Sequence, residues 1–158
     1  MRHAVAIGWP SVAIVAASWP FASNLAWQIG VGLTLIAASL WLVWRGGSPG
    51  RAVGPALAAG VIPLVLPLVA MRAICATPSC GTSCLAACLV GGAAAGAWFG
   101  LRAASDPHRG EFVAAGALIA GLAGSLGCVY VGGAGVVGMF VAFAGAALPL
   151  AFARTRPA

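Results

Sequence analysis

Residues 102–111, Arg-Ala-Ala-Ser-Asp-Pro-His-Arg-Gly-Glu, form the one conspicuously hydrophilic stretch of the chain, and they hold both of its acidic side chains, Asp106 and Glu111. Apolar runs lie on either side, 83–101 and 112–131. Each is close to the ~20 residues that a helix needs to cross a bilayer. Working outward, the same pattern recurs. One run, 135–153, follows Gly132-Gly133 and ends at Arg154. Upstream, 52–71 stops at Arg72, 25–44 stops at Arg45, and 4–22 stops at Ser23-Asn24. The breaks are helix-interrupting stretches such as Gly46-Gly47-Ser48-Pro49-Gly50-Arg51 and the polar segment Cys75–Ser83. The sequence therefore predicts an all-α integral membrane protein, a bundle of six transmembrane helices within a single domain, 1–158.

Composition agrees. The chain is 62 % hydrophobic and 6 % charged, against about 45–50 % and about 25 % in soluble domains. A soluble fold of 158 residues cannot hide that much apolar surface. Disorder needs low hydrophobicity and high charge. The net charge of +6 comes from eight Arg and no Lys. They stand singly at the ends of apolar runs rather than on one solvated face, so no direct nucleic-acid contact is expected.

Their placement sets an orientation. Arg2, Arg45, Arg51, Arg102, Arg109, Arg154 and Arg156 fall on one side of six spans, and Arg72 alone on the other. The positive-inside rule then puts both termini in the cytoplasm of a bacterial inner membrane, with the multi-pass topology N-in/C-in. Trp19, Trp27, Trp41, Trp44 and Trp98 lie near span ends, where Trp favours the headgroup level. The first run is read as a retained span, because Pro10 and two Trp suit it less well to a signal peptide. Cleavage there would leave five spans in the same orientation. The tails and loops leave no room for a soluble module.

Small residues recur at intervals of four. Span four carries Cys80, Cys84, Cys88, Gly92, Gly96 and Gly100, and span five carries Gly116, Ala120, Gly124 and Cys128. Such ladders let helix backbones approach in lipid, which predicts that spans four and five pack closely on each other. A rival reading is that Gly and Ala are simply abundant here. In span three, Pro55, Pro63 and Pro67 are expected to free carbonyls that neighbouring helices satisfy.

Five cysteines are the distinctive chemistry. Cys75, Cys80, Cys84, Cys88 and Cys128 all fall in the outer third under this topology. Three readings compete. Cys packs helices as a small hydrophobe. The outer side is oxidising, so Cys75 with Cys80, or Cys84 or Cys88 with Cys128, are candidate disulfides. Thiolates also bind soft metals, although the spacing does not match the Cys-x2-Cys pairs of structural zinc sites. No cofactor is expected, and a soft metal ion is the one candidate ligand. No charged residue lies at mid-span, which argues against a proton-driven transporter. No catalytic set is visible, so the chain is not read as an enzyme.

The second half carries a resemblance. A Cys-bearing helix, CGTSCLAACLVGG, precedes the polar loop RAASDPHRGEF. A Gly/Ala-rich helix follows, AAGALIAGLAGSLGC, with Cys128 at its end and a last helix after a short turn. This resembles the membrane domain of the NrsF-type proteins, six-span bacterial negative regulators of sigma factor. The resemblance implies a protein that holds an ECF-type sigma factor at the cytoplasmic side until a signal releases it. It also implies that one of Cys84 or Cys88, with Cys128, senses redox state or metal at the outer face. Family members carry a longer cytoplasmic segment before the first span, where three residues stand here. Sequestration would then use the loops around Arg45–Arg51 and Arg102–Glu111, or a separate partner. Two other functions are weighed beside this one. One is a small Cys-based soft-metal carrier of the mercury or copper type. The other is a structural subunit of a membrane complex. The expected partners are membrane lipid, the sigma factor, and further copies or other subunits.

Overall fold

The computed structural model describes residues 11–16, 25–74, 80–128 and 132–153. All of the regular structure among them is helical. Residues 11–16 belong to α1, and the expected first span otherwise lies outside the described residues. Five long helices follow: α2 (Leu25–Arg45), α3 (Gly47–Ile74), α4 (Cys80–Ala103), α5 (Arg109–Cys128) and α6 (Gly133–Phe152). All five are long and apolar enough to cross a membrane.

The boundaries refine the expected spans. The break expected over 46–51 shrinks to Gly46, and α3 begins at Gly47. Gly46 and Gly47 have φ of +70° and +67°, a region open to glycine at little cost, and this reverses the chain within a residue or two. Pro49 then sits in the first turn of α3, where a missing N–H breaks no intrahelical bond. Cys80, within the polar segment Cys75–Ser83 that was expected to precede the fourth run at 83, is instead the first residue of α4. At the other tight turn, Gly132 (φ +79°) caps α6.

Packing corrects one expectation. Spans four and five were expected to be close partners. The closest pairings are instead α4 with α6 and α3 with α5, while α4 and α5 touch only lightly. Both ladders face elsewhere. Gly92, Gly96 and Gly100 lie against the backbones of Met139, Phe143 and Ala147. The two series advance together by four, so α4 and α6 run parallel, the glycine row of α4 lying on the backbone of α6. On α5, Ala120 and Ala123 approach Gly60 of α3, Gly124 meets Pro63, and Gly127 meets Leu64. With so many interface positions lacking a Cβ, backbones can come into contact without a hydrophobic force between them.

Where backbones diverge, aromatic rings fill the gap. Phe99 of α4 is fully buried, stacked on Phe112 at 5.2 Å and tilted against Phe143 at 5.8 Å. Its ring occupies the space beside Gly116. This is one of the contacts that the span-five ladder makes with α4. The central helix is α5, mostly enclosed, whereas α2 and α6 turn most of their residues outward. Many outward side chains are apolar, among them Leu33, Val69, Val90 and Val141, which is compatible with a bilayer around the bundle.

Candidate functional site

The turn of α4 that carries Cys88 meets the C-terminal end of α5 and the first half of α6. Cys88, Cys128 and Met139 gather there in a small cluster, all buried, with Val136 packed alongside. The interhelical contacts explain the assembly. Gly92 admits the Met139 backbone one turn from Cys88, and Gly127 admits Leu64 beside Cys128. The Met139 Sδ comes to rest against Gly124, one turn before Cys128. Three sulfur atoms from three helices thus share one apolar pocket.

The side chains of Cys88 and Cys128 pack together in this cluster. The Cys128 Sγ also donates to the Pro63 carbonyl at 3.9 Å. That carbonyl is available for a local reason. In an α-helix it would accept from the N–H four residues on, and residue 67 is proline, which has none. The freed carbonyl expected in span three therefore finds its partner on α5. Cys84, one turn from Cys88, is buried too, and all three thiols are free. No disulfide joins them. Cys75 lies outside the described residues.

Of the predicted site residues, Cys88 and Cys128 are brought together, and Cys84 neighbours them on α4. Met139 was missed, since a methionine inside an apolar run is ordinary core material. Among the described residues, no three His, Cys, Asp or Glu side chains converge as a metal site.

The opposite end of the bundle is polar and closed by a clasp. Ser48 Oγ donates to Asp106 Oδ1 at 2.8 Å, and the His108 backbone N–H donates to the same oxygen at 3.0 Å. Arg51 Nη2 donates to Asp106 Oδ2 at 3.0 Å and to Ser48 Oγ at 3.1 Å. The start of α3 is thereby tied to the α4–α5 loop. Arg109 Nη1 donates to the Ala151 carbonyl at 3.3 Å, tying α5 to the end of α6. Partial burial pushes the Asp106 carboxyl up, but these hydrogen bonds and the Arg51 charge outweigh it and hold it below its ordinary value. Arg45 and Arg102 close the last turns of α2 and α4, where a cation complements the helix dipole. Their guanidinium groups lie over Trp41 and Trp98, at 5.1 and 5.3 Å from the ring centres. The described Arg of the expected inner side, Arg45, Arg51, Arg102 and Arg109, thus share one end, and the sulfur cluster lies toward the other.

No protein-family profile, curated protein or solved structure matches the chain.

Proposed function

We propose that this chain is a multi-pass regulatory protein of the bacterial inner membrane, of the anti-sigma type, with Cys88 and Cys128 as its sensor. The observation that carries the reading is the packing of these two buried cysteines in one cluster. They come from different helices, 40 positions apart in sequence, and meet beside Met139 and Val136. Sensing is a two-electron step. The two thiols lose two protons and two electrons, a sulfur–sulfur bond forms, and an outer-side disulfide oxidant is reduced to its dithiol. Because both thiols are buried, the ends of α4 and α5 must part for the oxidant to enter. The other end of α5 carries Arg109, bonded to Ala151, and the clasp around Asp106. Movement of α5 therefore connects the thiols to the cytoplasmic loops, Arg45–Arg51 and Arg102–Glu111, on which a sigma factor would be held.

Thiol labelling of intact cells, with and without reductant, tests the placement and the chemistry together. Outer-side labelling that rises after reduction supports the reading. Labelling only after the cytoplasm is opened overturns it. Recovery of a sigma factor with the affinity-tagged protein tests the partner, and unchanged sigma-dependent transcription on deletion counts against it.

One observation favours a second reading. The Met139 thioether beside two thiols makes a soft donor set suited to Cu(I) or Hg(II). In a soft-metal carrier, Cys88→Ser and Met139→Leu would each lower metal uptake. Under the redox reading, Met139→Leu leaves the thiol response intact.

A further inference from the structure

A second site lies at the Arg-rich end, independent of the sulfur cluster. A cleft of about 710 Å³ opens between the end of α2 and the start of α5. That is within the range of small-molecule sites, roughly 300–1,000 Å³. Its walls change character with depth. Arg45, Arg51 and Glu111 line the outer part, while Leu42, Ala115 and Leu118 line the inner part. From Glu111 to Leu118 the cleft follows α5 for about 10 Å at 1.5 Å per residue. Leu118 is 47 % exposed, so the apolar part opens sideways on the lipid-facing surface. Trp41 and Trp44, both exposed, mark the same level on α2, the level at which Trp meets headgroups.

The charges are arranged in an informative way. Arg45 rests on the Trp41 ring and has no acidic partner among the described residues. The Glu111 carboxylate has neither an ion pair nor a hydrogen bond among them. A cation and an anion thus line one cleft without closing on each other. Arg51 adds a second guanidinium, fixed from behind by Asp106 yet 61 % exposed. Such a site complements a ligand that carries an anion and an ammonium close together. A soluble zwitterion would meet the charges and leave the Leu42–Leu118 slot empty. A phospholipid would fill both parts.

We propose that this cleft binds one phosphatidylethanolamine molecule. Its phosphate lies between Arg45 and Arg51, its ammonium donates to Glu111, and its glycerol and upper acyl segments run along Leu42, Ala115 and Leu118. The primary ammonium matters, because it donates hydrogen bonds to a carboxylate and a quaternary choline does not. Phosphatidylglycerol offers the phosphate without the cation and leaves Glu111 unanswered.

The test uses the full-length protein in mild detergent, titrated with matched-chain phosphatidylethanolamine, phosphatidylglycerol and phosphatidylcholine, with bound lipid counted by native mass spectrometry. The wild type is expected to retain one phosphatidylethanolamine in preference to the other two. Glu111→Gln should lower that preference over phosphatidylglycerol by roughly tenfold, the scale of one charge-assisted hydrogen bond. Arg45→Gln should weaken retention of all three lipids, since each carries the phosphate, and Leu118→Trp should block the slot. Arg102→Gln, outside the cleft, should change nothing. Size-exclusion profiles and melting temperatures confirm that each variant is folded. Equal retention of the three lipids by the wild type overturns the proposal, and so does an unchanged preference in Glu111→Gln. Displacement by excess free phosphoethanolamine overturns the lipid assignment in favour of a soluble zwitterion.

Discussion

Replacing Gly96 by alanine probes the α4–α6 contact on which the sulfur cluster depends. A Cβ built at Gly96 falls 2.9 Å from both the Cα and the carbonyl carbon of Phe143, and closer still to its carbonyl oxygen. Ordinary contacts begin at 3.4 Å. The obstructing atoms are backbone, so no rotamer change relieves them, and the two helices must separate. Overpacking of this kind costs about 1–3 kcal/mol, and the upper half applies where a whole helix has to shift. Alanine regains about 0.5–1 kcal/mol of helix preference over glycine. The net expectation for Gly96→Ala is a loss of about 1–2 kcal/mol, or roughly 3–8 °C in melting temperature for a chain of this size. Gly145→Ala, also in α6 but with nothing within 4 Å, provides the control. It keeps the gain alone and should raise the melting temperature by roughly 1–4 °C. The assay is thermal unfolding in detergent followed by size-exclusion fluorescence. Equal shifts in the two variants would refute the claim that the α4 ladder meets the α6 backbone.

Phe99→Ala should lose about 3 kcal/mol through the cavity between α4, α5 and α6. Adding Gly116→Ala to that variant should cost less than Gly116→Ala alone, because its methyl then enters space the Phe99 ring had filled; a double-mutant cycle of melting temperatures checks the coupling. Asp106→Ala should loosen the clasp by about 1–2 kcal/mol, since the Ser48 hydroxyl, only 5 % exposed as a residue, loses its acceptor. The Asp106 carboxyl is held low when folded, so its stabilising effect is present above the unfolded value of about 3.9 and fades as pH falls through the lower folded value. Melting temperature measured below pH 4 should therefore drop in the wild type more than in Asp106→Asn. Cys88→Ser should abolish any oxidant-induced mobility shift on non-reducing gels while Cys84→Ser preserves it.

The apolar runs and their breaks gave the rough positions of the five long helices described, because a bilayer would impose one length and one solvent on every span. They also gave the common end of Arg45, Arg51, Arg102 and Arg109, since alternating spans return each of these residues to the same side. Neighbour choice was not legible. A four-residue ladder marks which face of α4 is flat, and the same ladder would serve any helix with a matching row. The Gly92–Gly100 row found Met139, Phe143 and Ala147 rather than α5. The Cys88–Cys128 pair was within the candidate set, but Met139 could enter only once α6 was known to lie on Gly92. The Pro63 carbonyl had a readable signal, a second proline four positions later. The Arg51–Asp106 bridge had none, for it joins residues 55 apart and depends on α3 lying beside α5.

Under oxidation, Cys88 and Cys128 should join as a thiol pair. Membranes from oxidant-treated cells can be alkylated without reduction, digested and mapped by mass spectrometry. The expected result is a disulfide-linked pair of peptides containing Cys88 and Cys128, with Cys84 alkylated. Recovery of Cys88 and Cys128 as separately alkylated thiols, under conditions that oxidise dithiols of other membrane proteins, would overturn the pairing.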